Sequence, residues 1–146
     1  MATVKYDDLL GGFEWVSASP DESTKAYVSL ETGTVYWDGP EGGDEVLPED
    51  LDDTSRYAPI PHKAELDLGS RLPVRFADER LPHRYDDVRA IFRSKGAYGR
   101  FKSLLMAERA LDDWYAYHDT AVKAALTEWA ADNGLNVVFR DDAVQG

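Results

Sequence analysis

The sequence predicts an α+β fold: a small antiparallel sheet containing a hairpin at residues 26–37, with helices from the C-terminal half covering one face. Three observations lead there. In AYVSLETGTVYW, Ala26, Val28 and Leu30 alternate with Tyr27 and Ser29, and Val35 and Trp37 alternate with Thr34 and Tyr36, the two-residue period of paired strands. Further on, Leu111, Trp114, Tyr115, His118, Val122, Ala125, Leu126 and Trp129 fall on one broad helical stripe. Between these regions, glycines and prolines cut the chain into short helical pieces. One domain over residues 1–146 is the expectation for this length. A chain of this size buries roughly 68–70% of its unfolded surface, enough for a core without metal or disulfide staples.

Taken in order, Tyr6–Val16 fits a short amphipathic helix on Leu9, Leu10 and Phe13, although Gly11-Gly12 weakens it and Phe13–Ser19 also suits a strand. The hairpin turns at Glu31-Thr32-Gly33, read as a three-residue loop with glycine in the left-handed position. Residues 38–53, DGPEGGDEVLPEDLDD, hold eight acids and no base and read as an acidic loop. RYAPIP suits a short strand, and Pro59 confines it to an edge or a strand end.

From Lys63 the pattern is helical, burying Leu66, Leu72, Phe76 and Ala77, with Gly69 and Pro73 marking a break or kink. YDDVRAIFRS forms a second helix with Val88, Ile91 and Phe92 inside and Gly96 as its stop. AYGRFKSLLMAE restarts, with Tyr98, Phe101, Leu104 and Leu105 on one side. The long stripe ends at Gly134, where Leu135 folds back, and NVVFR is a final strand.

The formal net charge is −12, but it is unevenly spread. Residues 1–55 carry 14 acids and 2 bases, residues 56–109 carry 12 bases and 7 acids, and residues 110–146 carry 7 acids and 2 bases. The acidic total argues against indiscriminate binding to nucleic acid or anionic membrane, since like charges repel. With no cysteine, a disulfide framework, an iron–sulfur site and a cysteine-based zinc site are excluded. The N-terminal residues lack a signal-peptide pattern, and no apolar run approaches the 18 or so residues that span a bilayer, so a cytoplasmic protein without membrane insertion is expected.

No catalytic residue, metal ligand or cofactor is assigned. DGPEGGDEVLPE does not match the spacing of a calcium loop and reads as solvated chain. His62, His83 and His118 form no paired ligand motif, and His118 on the apolar stripe reads as a core histidine, with Asp119 turned away by one helical step. Consecutive carboxylates occur at Asp7-Asp8, Asp52-Asp53, Asp86-Asp87, Asp112-Asp113 and Asp141-Asp142. Those at 86–87 and 112–113 suit helix starts, where each offsets the macrodipole by ~0.3–1 kcal/mol.

The candidate ligand-binding segment is RSKGAYGRFKSLL, with Arg93, Lys95, Gly96, Arg100 and Lys102. Glycine at a helix start lets an anion approach unpaired N–H groups. Its Gly-x-x-Gly pattern is that of the KH-domain loop, but the flanking helices lack the KH strands. The simpler reading is a tight interhelical joint: Gly96 caps one helix, Tyr98 and Phe101 pack inward, and the cations face water or the acidic segments.

AYVSLETGTVYW, LPEDLDD, IPHKAELDL, FRSKGAYGRFKSLL and WYAYHDTAVKAALTEWAADNG, in this order and spacing, resemble the bacterial group catalogued as uncharacterised protein family 158. The resemblance covers roughly residues 6–135 and implies a fold boundary without a function. The functional expectation is therefore a non-catalytic cytosolic binding or regulatory module acting through a protein partner, motivated by the charge asymmetry. A nucleic-acid or phosphate-ligand binder using residues 93–102 is the alternative, and an uncharacterised enzyme the third reading.

Overall fold

The computed structural model describes residues 1–19, 23–40, 42–44 and 46–139. The Asp141-Asp142 pair, Arg140 of the expected last strand, and Glu41 and Glu45 of the acidic loop lie outside them. The fold is α+β, with the antiparallel sheet containing the expected hairpin. The chain divides into two compact units, residues 1–66 with 125–146, and residues 67–124.

In the first unit, β1 (Thr3–Lys5) pairs in parallel with β6 (Asn136–Val138), Val4 opposite Val137. Helix α1 (Tyr6–Ser17) follows directly and buries Leu9, Gly12, Phe13 and Val16, a single face at helical spacing. The four-stranded sheet has the order β4-β3-β2-β5, where β2 is Lys25–Ser29, β3 Val35–Gly39, β4 Gly42–Gly43 and β5 Tyr57–Pro59. Strand β5 takes the edge, as a proline requires.

Helix α1 lies on β2 and β3, and the glycine pair that weakens it on paper explains how. A Cβ on Gly12 would sit 2.6 Å from Ile60 Cδ1 and 3.2 Å from Val35 Cγ1, so a larger residue would push the Ile60 terminal methyl aside and press on Val35. The Trp15 indole N–H is shared between the carbonyls of Lys25 and Asp38, both at 3.1 Å, while its ring stacks on Trp37 at 5.1 Å.

The hairpin connection is longer than the sequence suggests, because the strands stop at Ser29 and Val35 and leave residues 30–34 between them. Gly33 has φ 79°, and a Cβ there would meet the Thr3 carbonyl oxygen at 1.9 Å. The opening of the acidic loop is also partly sheet: Asp38 pairs with Gly43, and Gly39 with Gly42. The Trp37 N–H then donates to the Asp44 carboxylate at 2.9 Å. Leu135 folds back as expected, its N–H donating to the Ala130 carbonyl at 2.8 Å.

The second unit is helical. A 3-10 turn, Lys63–Leu66, closes the first unit, and α2 (Arg71–Arg80) begins after residues 67–70, so the expected break is there. Pro73 is the third residue of α2, inside the first turn, where backbone N–H groups have no intrahelical partner, so it does not interrupt the helix. A 3-10 turn, Pro82–Arg84, leads into α3 (Tyr85–Ile91), followed by α4 (Ala97–Ala107) and the start of α5 (Leu111–Asp132).

The core of this unit includes Leu72, Phe76, Val88, Phe101, Leu105 and Trp114. Its rings meet mostly edge to face, Phe76 on Trp114 at 5.4 Å, Phe101 on Trp114 at 5.1 Å, and Phe92 on Phe101 at 5.3 Å. Among the stripe positions that depart from expectation, Tyr98 is 49% exposed and Tyr115 47%. Among the described residues, no helix is long and apolar enough to cross a membrane.

Candidate functional site

Helix α3 ends at Ile91, five residues before Gly96. Gly96, with φ 73°, is instead the N-cap of α4. The turn between them is held by Arg100, whose Nη2 donates to the Ser94 hydroxyl at 2.6 Å, the Lys95 carbonyl at 2.9 Å and the Ile91 carbonyl at 3.4 Å. One of the four expected cations therefore closes the joint by bonding its carbonyls. Arg93, Lys95 and Lys102 are exposed. Tyr98 does not pack fully inward, but its ring meets Phe92 edge-on at 5.1 Å.

A different set of cations converges nearby. Asp67, Ser70, Arg71, Val74, Arg75, Arg89 and Phe92 line a cleft of about 390 Å³ within the second unit. Arg71 and Arg75 stand one turn apart on α2, Arg89 is in the last turn of α3, and Phe92 is the residue that ends α3. Arg71 Nη1 lies 3.7 Å from the Asp67 carboxylate, and Arg75 Nη2 donates to the Asp67 carbonyl at 3.4 Å. Arg89 sits over the Tyr85 ring, 5.6 Å from its centroid. Asp67 has φ 55°, a left-handed conformation uncommon outside glycine. Ser70 precedes α2 and makes no side-chain cap hydrogen bond.

Charge divides with the units. Residues 67–124 hold eleven bases against nine acids, whereas the first unit holds nineteen acids against five bases. The first unit has its own clefts. One, of about 420 Å³, is lined by Lys5, Asp7, Asp8, Thr32, Thr34 and Trp37 among others. Another, of about 200 Å³, includes Lys25, Tyr27, His62 and Glu65. There His62 Nδ1 accepts the Ala64 N–H at 3.1 Å while the Glu65 carboxylate accepts the His62 N–H at 2.9 Å, a reciprocal cap on the 3-10 turn. This fixes the imidazole proton on Nε2, which is buried and has no hydrogen-bond partner among the described residues.

The other histidines serve local structure. His83 Nε2 pairs with the Glu108 carboxylate, which also takes Arg84 Nη1 at 3.4 Å, and Arg84 Nε bonds Asp87 at 2.8 Å. The hydrogen bond to His83, aided by the charges of His83 and Arg84, holds the Glu108 carboxyl below its ordinary range, against the opposing effect of desolvation. The His118 side chain is 42% exposed, so it is not a core histidine, and its Nδ1 lies 3.6 Å from Asp119. Sequence spacing turns Asp119 one helical step away, yet the two groups lie within ion-pair distance.

The paired carboxylates at Asp86-Asp87 and Asp112-Asp113 occupy first helical turns as expected, and Asp7-Asp8 does the same. Asp53 accepts the Ser55 hydroxyl at 2.6 Å and its N–H at 3.0 Å, which lowers its pKa. Burial raises the Tyr117 phenol, with a hydrogen bond to Glu79 adding to the effect. Among the described residues no group of three or more acidic, histidine or cysteine side chains is arranged to hold a metal.

The arginine cleft was missed because its arginines are 18 residues apart at their extremes and join only through the packing of α2 against α3. The legible fragment was Arg71 and Arg75, four apart on an exposed helical face. One family model, that of an uncharacterised protein family (UPF0158), matches residues 13–145, most of the chain. No curated protein and no solved structure matches it.

Proposed function

The chain belongs to this uncharacterised family, a membership that assigns no activity, and from its structure we propose that it is a non-catalytic binding module that docks an acidic segment of a partner protein. The observation that carries the reading is the cleft lined by Arg71, Arg75 and Arg89 together with Phe92. Arginine suits this role because its planar fork pairs carboxylates and is only weakly hydrated, so it gives up little to enter an interface. Arginine and aromatic side chains are also enriched where interfaces concentrate their energy. The acidic first unit suppresses adhesion to polyanions in general, so that attraction is confined to a local patch. A cytosolic setting is part of the proposal, supported by a chain in which 30% of residues are charged.

Fluorescence anisotropy with an acidic peptide and a neutral peptide of equal length tests it. The acidic peptide binds, binding weakens with salt, and Arg71→Ala/Arg75→Ala lowers affinity by about tenfold or more, the worth of one lost charge-assisted hydrogen bond. Equal binding of the neutral peptide would sink the reading.

A phosphate-ligand or nucleic-acid binder at residues 93–102 is the second reading, favoured by the exposure of Arg93, Lys95 and Lys102 around Gly96. It now rests on three cations rather than four, because Arg100 is engaged in the turn. Salt-dependent binding of RNA or DNA oligonucleotides that is lost on Lys95→Ala/Lys102→Ala would support it over peptide docking.

A further inference from the structure

We infer that the acidic group selected by the cleft is a phosphate monoester on a partner side chain, a phosphorylated serine, threonine or tyrosine; this rests on the docking reading above. The argument turns on Asp67. Its carboxylate already faces Arg71 at 3.7 Å, and its carbonyl faces Arg75 at 3.4 Å. A partner carboxylate that displaced Asp67 would exchange one carboxylate for another. It would gain little in charge and would lose the freedom of the incoming chain.

A phosphate monoester changes that balance. It carries about −1.5 to −2 charge and three strong acceptor oxygens, enough to engage Arg71, Arg75 and Arg89 together. Each guanidinium has five N–H donors, and the long contacts to Asp67 leave most of them open. The cleft includes the start of α2, the positive end of the helix dipole, with the Ser70 hydroxyl not engaged as a cap. Val74 and Phe92 give the stem of the modified side chain an apolar wall.

Asp67 is thus a specificity residue. Held at φ 55°, it competes for the same arginines, so that a partner carboxylate gains little by displacing it and a dianion gains more. Asp67→Asn tests this without disturbing the backbone, because asparagine tolerates the left-handed conformation.

The experiment measures one peptide in two forms, phosphoserine or glutamate at the same position, against wild type, Asp67→Asn and Arg71→Ala/Arg75→Ala, with inorganic phosphate as competitor. The phosphopeptide binds wild type about tenfold or more tighter than the glutamate form. Asp67→Asn narrows that ratio by raising affinity for the glutamate peptide, and the double arginine variant removes the preference. Equal binding of the two peptides overturns the phosphate assignment and leaves acidic docking standing. Binding of neither peptide overturns both. Inorganic phosphate that competes at the peptide's own affinity also overturns the assignment, since the site would then serve free phosphate.

Discussion

The two units of this chain solve the problem of close packing by opposite means. In the first, nineteen acids accompany five bases, and contact between helix and sheet depends on the absence of a side chain at Gly12. In the second, eleven bases accompany nine acids, and contact depends on large rings, Phe76, Phe101 and Trp114, meeting edge to face. The difference teaches where function has room. Ring-packed helices bring arginines 71, 75 and 89 to one cleft. The glycine-spaced sheet surface instead commits its polar groups to turns and caps, as with Asp44, Asp53 and Glu65.

The sharpest way to break this contrast is to remove a ring. Phe76 is fully buried and touches both Trp114 and Tyr117. Phe76→Ala should cost about 3–5 kcal/mol, read as a fall in the denaturation midpoint. A loss under about 1 kcal/mol would mean the cluster is loosely packed and the contrast is wrong. The matching change in the first unit adds bulk. Gly12→Val drives methyls into Ile60 and Val35 and should cost about 1–3 kcal/mol. If valine were neutral there, close approach would not be what selects glycine.

Much of the first unit could be read from the sequence, because its elements are local. The hairpin alternation, the edge role of Pro59, the left-handed Gly33 and the fold-back of Leu135 each follow from residues close in sequence. What escaped were features set by distant partners. Nothing near Gly12 in the sequence announces Ile60 or Val35. Likewise RSKGAYGRFKSLL displayed its cations in one run, yet Arg100 turned back onto Ser94 and Lys95 to close a helix joint. The arginines that share a cleft lay dispersed, with Arg89 brought to Arg71 and Arg75 by helix packing alone. A charge run measures composition, whereas a site requires convergence, and convergence is a tertiary property.

The smallest effect distinguishes how the two units hold their carboxylates. Asp53 in the first unit is lowered from its ordinary 3.8 chiefly by the Ser55 hydroxyl and N–H. Glu108 in the second is lowered from 4.5 by its hydrogen bond with His83 and by the charges of His83 and Arg84. Because both folded values are depressed, the folded state holds fewer protons than the unfolded chain in acid. The stability each carboxylate adds is complete above its ordinary value and fades as pH falls through its lowered one. Salt should separate them. Raising ionic strength screens the attraction of His83 and Arg84 for Glu108 more than the hydrogen bonds Asp53 accepts from uncharged donors, so the Glu108 midpoint should climb toward 4.5 while that of Asp53 moves less. Carboxyl carbon shifts followed by NMR through an acid titration at two salt concentrations would show it. Equal movement of the two midpoints would mean that the second unit holds its acids as the first does, by hydrogen bonds from uncharged donors, and the electrostatic half of the contrast would fall.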